Sequence, residues 1–186
     1  MKKLTVLFLF SVLVYSFSYS QLLPGVFRYS ELRFTSGFVL VPEFNYGLGL
    51  GVDNPENDYN KGMVGITAVL AYQMRRSFIT GVGTGILLYQ DKALVPMYIS
   101  ERYAFPVLSS KILPYVNVDS GFLLSFEELI TRTKLFFNPG IGAVYRVNSN
   151  LSANLGTSLF IQMGPRSPRD TYINFKMGVT FLIIKP

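Results

Sequence analysis

The sequence predicts an all-β fold: eight antiparallel strands in an up-and-down meander, closed into a transmembrane barrel. Three observations predict it. Eight segments alternate bulky apolar residues with small or polar ones at period two, the pattern of strands with two unlike faces. The connections alternate between short ones and a set that is mostly longer and more polar, so the meander has two distinguishable ends. The composition leaves little for water: of 186 residues 15% are charged and 49% hydrophobic, with mean hydropathy +0.33, against ~25% charged in an ordinary soluble domain.

The chain opens with Lys2 and Lys3, then the apolar run from Leu4 to Phe17, then Ser18-Tyr19-Ser20 ahead of Gln21. A basic start, an apolar stretch too short to span a bilayer and a small-x-small cut site predict a secretory signal peptide over residues 1–20. Removing its two lysines from 17 Lys+Arg, against 11 Asp+Glu, leaves a mature charge of +4. Residues 21–33 alternate poorly and are assigned to a periplasmic N-terminal segment, with the barrel domain over 34–186.

The first strand is expected within 34–52, with Leu40, Phe44, Tyr46, Leu48 and Leu50 on one face and Glu43, Asn45, Gly47, Gly49 and Gly51 on the other. The second covers 62–74, with Val64, Ile66, Ala68, Leu70, Tyr72 and Met74 on its bulky face. The third, 78–89, sets Phe78, Thr80, Val82, Ile86 and Leu88 against Gly81, Gly83 and Gly85. The fourth, 94–105, sets Val95, Met97, Ile99, Tyr103 and Phe105 against Pro96, Tyr98, Ser100 and Arg102, and carries one misfit, Glu101, on its bulky face. The fifth, 113–124, and the sixth, 134–147, put Val116, Val118, Phe122, Leu135, Phe137, Ile141 and Tyr145 on the bulky side. The seventh, 151–163, does the same with Leu155, Leu159 and Ile161. The eighth, 172–184, is the cleanest, with Ile173, Phe175, Met177, Val179, Phe181 and Ile183 opposite Tyr172, Asn174, Lys176, Gly178 and Thr180. Connections 74–77, 106–111 and 147–150 are short; 53–61, 90–92, 125–133 and 164–171 form the other set. Closure removes the two open edges.

Alternation alone does not say which face is inside. A soluble, lipocalin-like periplasmic barrel that binds a ligand would turn the bulky face inward. The other face argues for the reverse, because Gly, Ser, Asn and Thr with few charges suit a narrow lumen better than a solvated surface. The aromatics Tyr72, Phe78, Tyr103, Phe105, Tyr145 and Phe181 gather beside the short turns, as an interfacial girdle on the periplasmic side would.

With these features the chain resembles the small eight-stranded outer-membrane barrels of OmpA/OmpX architecture. The stretches 95–105 (VPMYISERYAF), 112–122 (ILPYVNVDSGF) and 137–147 (FNPGIGAVYRV) look like the porin-like outer-membrane β-barrel family common in Bacteroidetes. The resemblance covers residues 34–184. It implies location in a Gram-negative outer membrane, outer-membrane lipid as surroundings, and handling by the outer-membrane assembly machinery. Phe181 matches the aromatic of the C-terminal signal that this machinery reads, although Ile183, Ile184, Lys185 and Pro186 extend past it. The peptidoglycan-binding domain of full-length OmpA proteins is not expected.

By parity Glu43, Arg102, Asp119, Lys134, Arg146 and Lys176 point into the lumen. Glu43 and Asp119 are the expected acceptors for Arg102, Arg146 and Lys176, since a buried charge must pair or meet water. Such a set either plugs the barrel with ion pairs or lines a narrow, weakly anion-preferring pore. In the loops, Asp53, Glu56 and Asp58 lack the alternate spacing of a calcium loop, so no metal site is assigned. Arg166 and Arg169 are a candidate contact for lipopolysaccharide phosphates, or partners for the acidic loop at 53–61. Phe126, Leu129 and Ile130 suggest a short helix on the rim or a contact with an envelope protein.

Catalysis has little to build on. The chain has neither His nor Cys, which removes the commonest general base and the thiolate nucleophile. The run 81–85 (GVGTG) is strand with inward glycines rather than a phosphate loop. No cofactor is expected. The Lys and Arg are scattered, which suits an anionic membrane surface and not a nucleic acid. The expected function is non-enzymatic: a structural or interaction barrel of the envelope, or alternatively a narrow pore for ions or small solutes.

Overall fold

The structure, a computed structural model, describes residues 36–50, 62–74, 78–89, 92–105, 111–125, 133–148, 150–164 and 170–184. The expected signal peptide and the 21–33 segment lie outside the described residues, as do the residues named at 53–58, 126–130, 166 and 169.

Eight strands form a single closed sheet: β1 Gly37–Gly49, β2 Met63–Gln73, β3 Phe78–Tyr89, β4 Lys92–Ala104, β5 Ile112–Ser125, β6 Lys134–Arg146, β7 Leu151–Met163 and β8 Asp170–Ile184. Each pairs antiparallel with the next in sequence, and β1 pairs antiparallel with β8. Closure gives every strand two neighbours and leaves no edge. Two boundaries move outward from the sequence expectation by two residues. β4 begins at Lys92 and β8 at Asp170, because both residues pair with the preceding strand, Lys92 with Tyr89 and Asp170 with Gln162.

Besides a register shift between Phe38 and Val39 in the pairing of β1 with β8, the ladder has three breaks that each contain a proline. Pairing of β1 with β8 skips Val41 and Pro42, that of β3 with β4 skips Val95 and Pro96, and that of β6 with β7 skips Asn138 and Pro139. Proline has no N–H to give the neighbouring strand, and each tolerates the loss because the strand stays paired on its other side. At the end of the barrel with short connections, Met74 N donates to Phe78 O at 2.8 Å, and Asn150 N donates to Asn148 Oδ1 at 2.9 Å. The second is an Asx turn that tightens the β6–β7 connection.

The bulky faces point outward. Ile66, Val82, Met97, Ile99, Ile141, Leu155, Phe175 and Met177 are all exposed, Ile66 at 66% and Leu155 at 64%. This overturns the soluble lipocalin-like alternative, which needs those side chains inside. Inside lie three kinds of residue: polar groups, aliphatic side chains such as Val39, Val41, Val69, Leu87 and Leu123, and a set of aromatic rings that includes Tyr89, Tyr98, Tyr115, Phe136, Phe160 and Tyr172. The chain is an eight-stranded antiparallel β-barrel with an apolar exterior, the arrangement of membrane-spanning barrels.

Candidate functional site

Among the described residues, charged, amide, hydroxyl and aromatic groups converge from all eight strands in the interior. Strand parity delivers them, and the register decides which of them meet.

The lumenal tyrosines fit because glycines face them. Tyr98 on β4 pairs with Gly83 on β3 and Gly121 on β5. A Cβ at Gly83 would stand 2.3 Å from the Tyr98 ring, so that ring lies flat on the space the glycine leaves. Tyr115 on β5 pairs with Gly142 on β6, which pairs with Gly156 on β7. Cβ atoms at those two glycines would come within 2.5 and 2.4 Å of its ring carbon and hydroxyl. The glycines therefore form the floor on which large rings cross the narrow bore.

Toward the end of the barrel with the longer connections, Tyr98 joins four further rings in a continuous cap. Tyr98 meets Phe136 edge-on at 5.8 Å, Phe136 stacks on Phe160 at 4.9 Å, Phe160 meets Tyr172 at 6.4 Å, and Tyr172 meets Tyr89 at 5.7 Å. These are ordinary offset and edge separations for aromatic pairs. Gln162 Nε2 donates to the Tyr89 hydroxyl at 2.5 Å. At the same end Lys134 Nζ donates to Asp170 Oδ2 at 2.9 Å and to Gln162 Oε1 at 3.4 Å. Leu123 and Met63 fill in beside the rings.

Below the cap runs a polar belt. Arg102 Nη2 donates to Glu43 Oε1 at 2.5 Å, with both side chains buried. Lys176 Nζ pairs with Asp119 Oδ2. Each pair joins strands three apart around the wall, β1 with β4 and β5 with β8, so both cross the lumen. Asp119 also accepts from Ser100 Oγ at 2.7 Å and from Asn138 Nδ2 at 3.2 Å. Asn45 Nδ2 donates to Thr67 Oγ1 at 2.9 Å, and Asn174 Nδ2 donates to Asn45 Oδ1 at 3.1 Å. The Arg102 guanidinium carbon lies 4.7 Å from the centre of the Tyr115 ring, a cation–π distance. Belt and tyrosines thus form one assembly.

Of the six inward charges read from the sequence, Glu43, Arg102, Asp119 and Lys176 meet in the belt. Lys134 sits apart, partly buried near the cap, paired with Asp170. Arg146 ends β6 opposite Ser152, eight residues from Asn138, the position that faces Asp119. At ~3.3 Å per residue that is about 26 Å along the strand from the Asp119 level.

Sequence reasoning missed Asp170, which it placed in a loop, and, although it put Tyr98 and Tyr172 on the inward face, missed that the inward rings pack against one another. The signal for the rings was present: Tyr98, Tyr115, Phe160 and Tyr172 alternate with polar residues on the inward parity.

Of the six girdle aromatics, Phe105, Tyr145 and Phe181 are exposed and Tyr72, Phe78 and Tyr103 half-buried, all at the end with short connections. Phe38 joins them there, edge-on to Tyr72 at 5.3 Å, and Tyr103 meets Phe105 at 5.1 Å. Among the described residues no group of three carboxylates forms a site that could hold a metal ion.

No family model matches the chain, and no curated protein matches it in sequence. Solved structures do match in shape. Neisserial surface protein A aligns over 80% of this chain and 99% of its own, at 13% identity and a TM-score of 0.59. The outer membrane protein OprG from Pseudomonas aeruginosa aligns over 79% of this chain and 96% of its own, at 9% identity and a TM-score of 0.50. The barrel therefore has the fold of small outer-membrane β-barrels.

Proposed function

We propose that the protein is a non-enzymatic outer-membrane barrel that serves the cell envelope as a structural or interaction component, through its wall and loops, and does not conduct solute. The observation that carries this reading is the pair of ion pairs crossing the lumen, Glu43–Arg102 and Asp119–Lys176, packed against the Tyr115 ring. An eight-stranded bore is just wide enough for its own side chains, and here both the belt and the aromatic cap occupy it.

In this reading residues 1–20 are removed on export and residues 21–33 lie in the periplasm. The girdle end, where β1 starts and β8 ends, also faces the periplasm. The barrel's surroundings are outer-membrane lipid, Phe181 is read by the assembly machinery, and the longer loops face outward with Arg166 and Arg169 available to anionic headgroups. Kinship with the porin-like barrels of Bacteroidetes rests on the sequence stretches alone.

A second reading, a narrow pore, draws on one feature of the belt. Arg102 Nε and Nη1, Asn138 Oδ1 and Asn154 Oδ1 are buried without a hydrogen-bond partner; the two Arg102 donors suit water or a small anion, and the two amide oxygens suit water. Planar-bilayer recording separates the two. The structural reading expects a silent bilayer after verified insertion; steady unitary currents that shift when Arg102 is replaced would establish the pore instead.

A further inference from the structure

One feature of the outer wall lies outside both readings. Glu101 is exposed on the outward face of β4, where its neighbours along the strand are Ile99 and Tyr103. It is paired with Thr80 of β3 and Val118 of β5. The next outward pair toward the girdle is Phe78 with Tyr103, and Tyr103 packs edge-on against Phe105. Among the described residues Glu101 has no ion-pair or hydrogen-bond partner. A carboxylate on an apolar wall has only acceptors to offer, so it calls for a cation with N–H donors.

Its depth narrows the choice. Glu101 is three residues from the end of β4, and the girdle aromatics begin one outward position below it. At ~3.3 Å per residue with strands tilted ~40°, the carboxylate stands about 8 Å above the strand end. That is the level at which acyl chains give way to headgroups.

We propose that Glu101, with the Thr80 hydroxyl opposite and the Phe78 and Tyr103 rings at the next position, is a wall site for the primary ammonium group of an ethanolamine phospholipid in the periplasmic leaflet. The carboxylate and hydroxyl oxygens accept from the ammonium, and neighbouring ring surface favours a cation. The site fixes the lipid by its headgroup and leaves the acyl chains on the outward apolar residues above, Ile99 and Val82, both exposed. The proposal rests on the membrane-barrel reading and on the girdle end facing the periplasm.

The test uses the protein extracted from expressing cells in non-ionic detergent. A shift in gel mobility between unheated and boiled samples first establishes the folded barrel. Native mass spectrometry then measures retention of phosphatidylethanolamine, phosphatidylcholine and phosphatidylglycerol with matched acyl chains, for wild type, Glu101→Gln and Glu101→Asp. Wild type is expected to keep the ethanolamine lipid in preference to the other two. Glu101→Gln should lose that preference by roughly threefold, the scale of an exposed ion pair, and Glu101→Asp should keep part of it. Equal retention of all three lipids, or a Glu101→Gln variant that binds like wild type, overturns the site. So does a co-purifying protein released by Glu101→Gln with no lipid preference, which would assign the carboxylate to a partner's cation. A chain that shows no mobility shift refutes the barrel reading itself and removes the site with it.

Discussion

Arg102 on β4 and Glu43 on β1 are 59 residues apart in sequence and joined across the bore at 2.5 Å. With both side chains almost fully buried, neither charge has bulk water to fall back on. Glu43→Gln therefore leaves a guanidinium in the lumen without its counter-charge, and should lower stability by ~3–5 kcal/mol. Replacing both residues with methionine should recover most of that loss, because the desolvation penalty disappears with the charges. Urea unfolding in lipid vesicles, followed by gel mobility, measures both.

The contact between Gly83 and the Tyr98 ring makes a second prediction. Gly83→Val drives a side chain into that ring and should cost ~1–3 kcal/mol. Combined with Tyr98→Ala, the same substitution should cost less than the two single changes added together. The coupling energy from the double-mutant cycle is the quantity to measure. A glycine needed only for backbone reasons would give additive costs.

The exterior makes the third. Leu155 is 64% exposed, between Ala143 and Met177. If the wall meets hydrocarbon, Leu155→Arg should cost up to ~2–4 kcal/mol, whereas on a wall that meets water it should be near neutral. Comparing vesicle folding of this variant with that of Leu155→Ala, which adds no charge, isolates the effect.

The plug makes the fourth. Tyr98→Ala and Tyr115→Ala remove the rings that lie across Gly83 and across Gly142 and Gly156. The double variant should show conductance in planar bilayers where wild type is silent. A double variant as silent as wild type would show that these rings are not what closes the bore.

Much of this was legible along the chain, and the part that was not has a physical cause. Period-two alternation is a property of a single strand, so Phe78–Tyr89 and Leu151–Met163 were readable to the residue, as was the inward parity of Glu43 and Asp119. Register is a property of two strands and is not written in either. Parity offers Arg102 both Glu43 and Asp119 without choosing between them, and does not say that Arg146, equally inward, ends eight residues along β6 from the position that faces Asp119. Asp170 was missed because it follows the turn-like run Gly164–Arg169, and only pairing with Gln162 draws it into β8. The rings of Tyr98 and Tyr115 sat in plain view on the inward parity. Their significance depends on glycines in adjacent strands at matching levels, which again is register.

The central claim is that the bulky faces meet lipid and the small, polar and aromatic faces fill the bore. The most direct measurement refolds the chain from residue 21 onward with and without detergent or lipid, following circular dichroism and gel mobility before and after boiling. The account predicts β-rich structure only in detergent or lipid, with an unheated band that migrates apart from the boiled one. A chain that folds to a β-rich monomer in plain buffer and shows no mobility shift would contradict it.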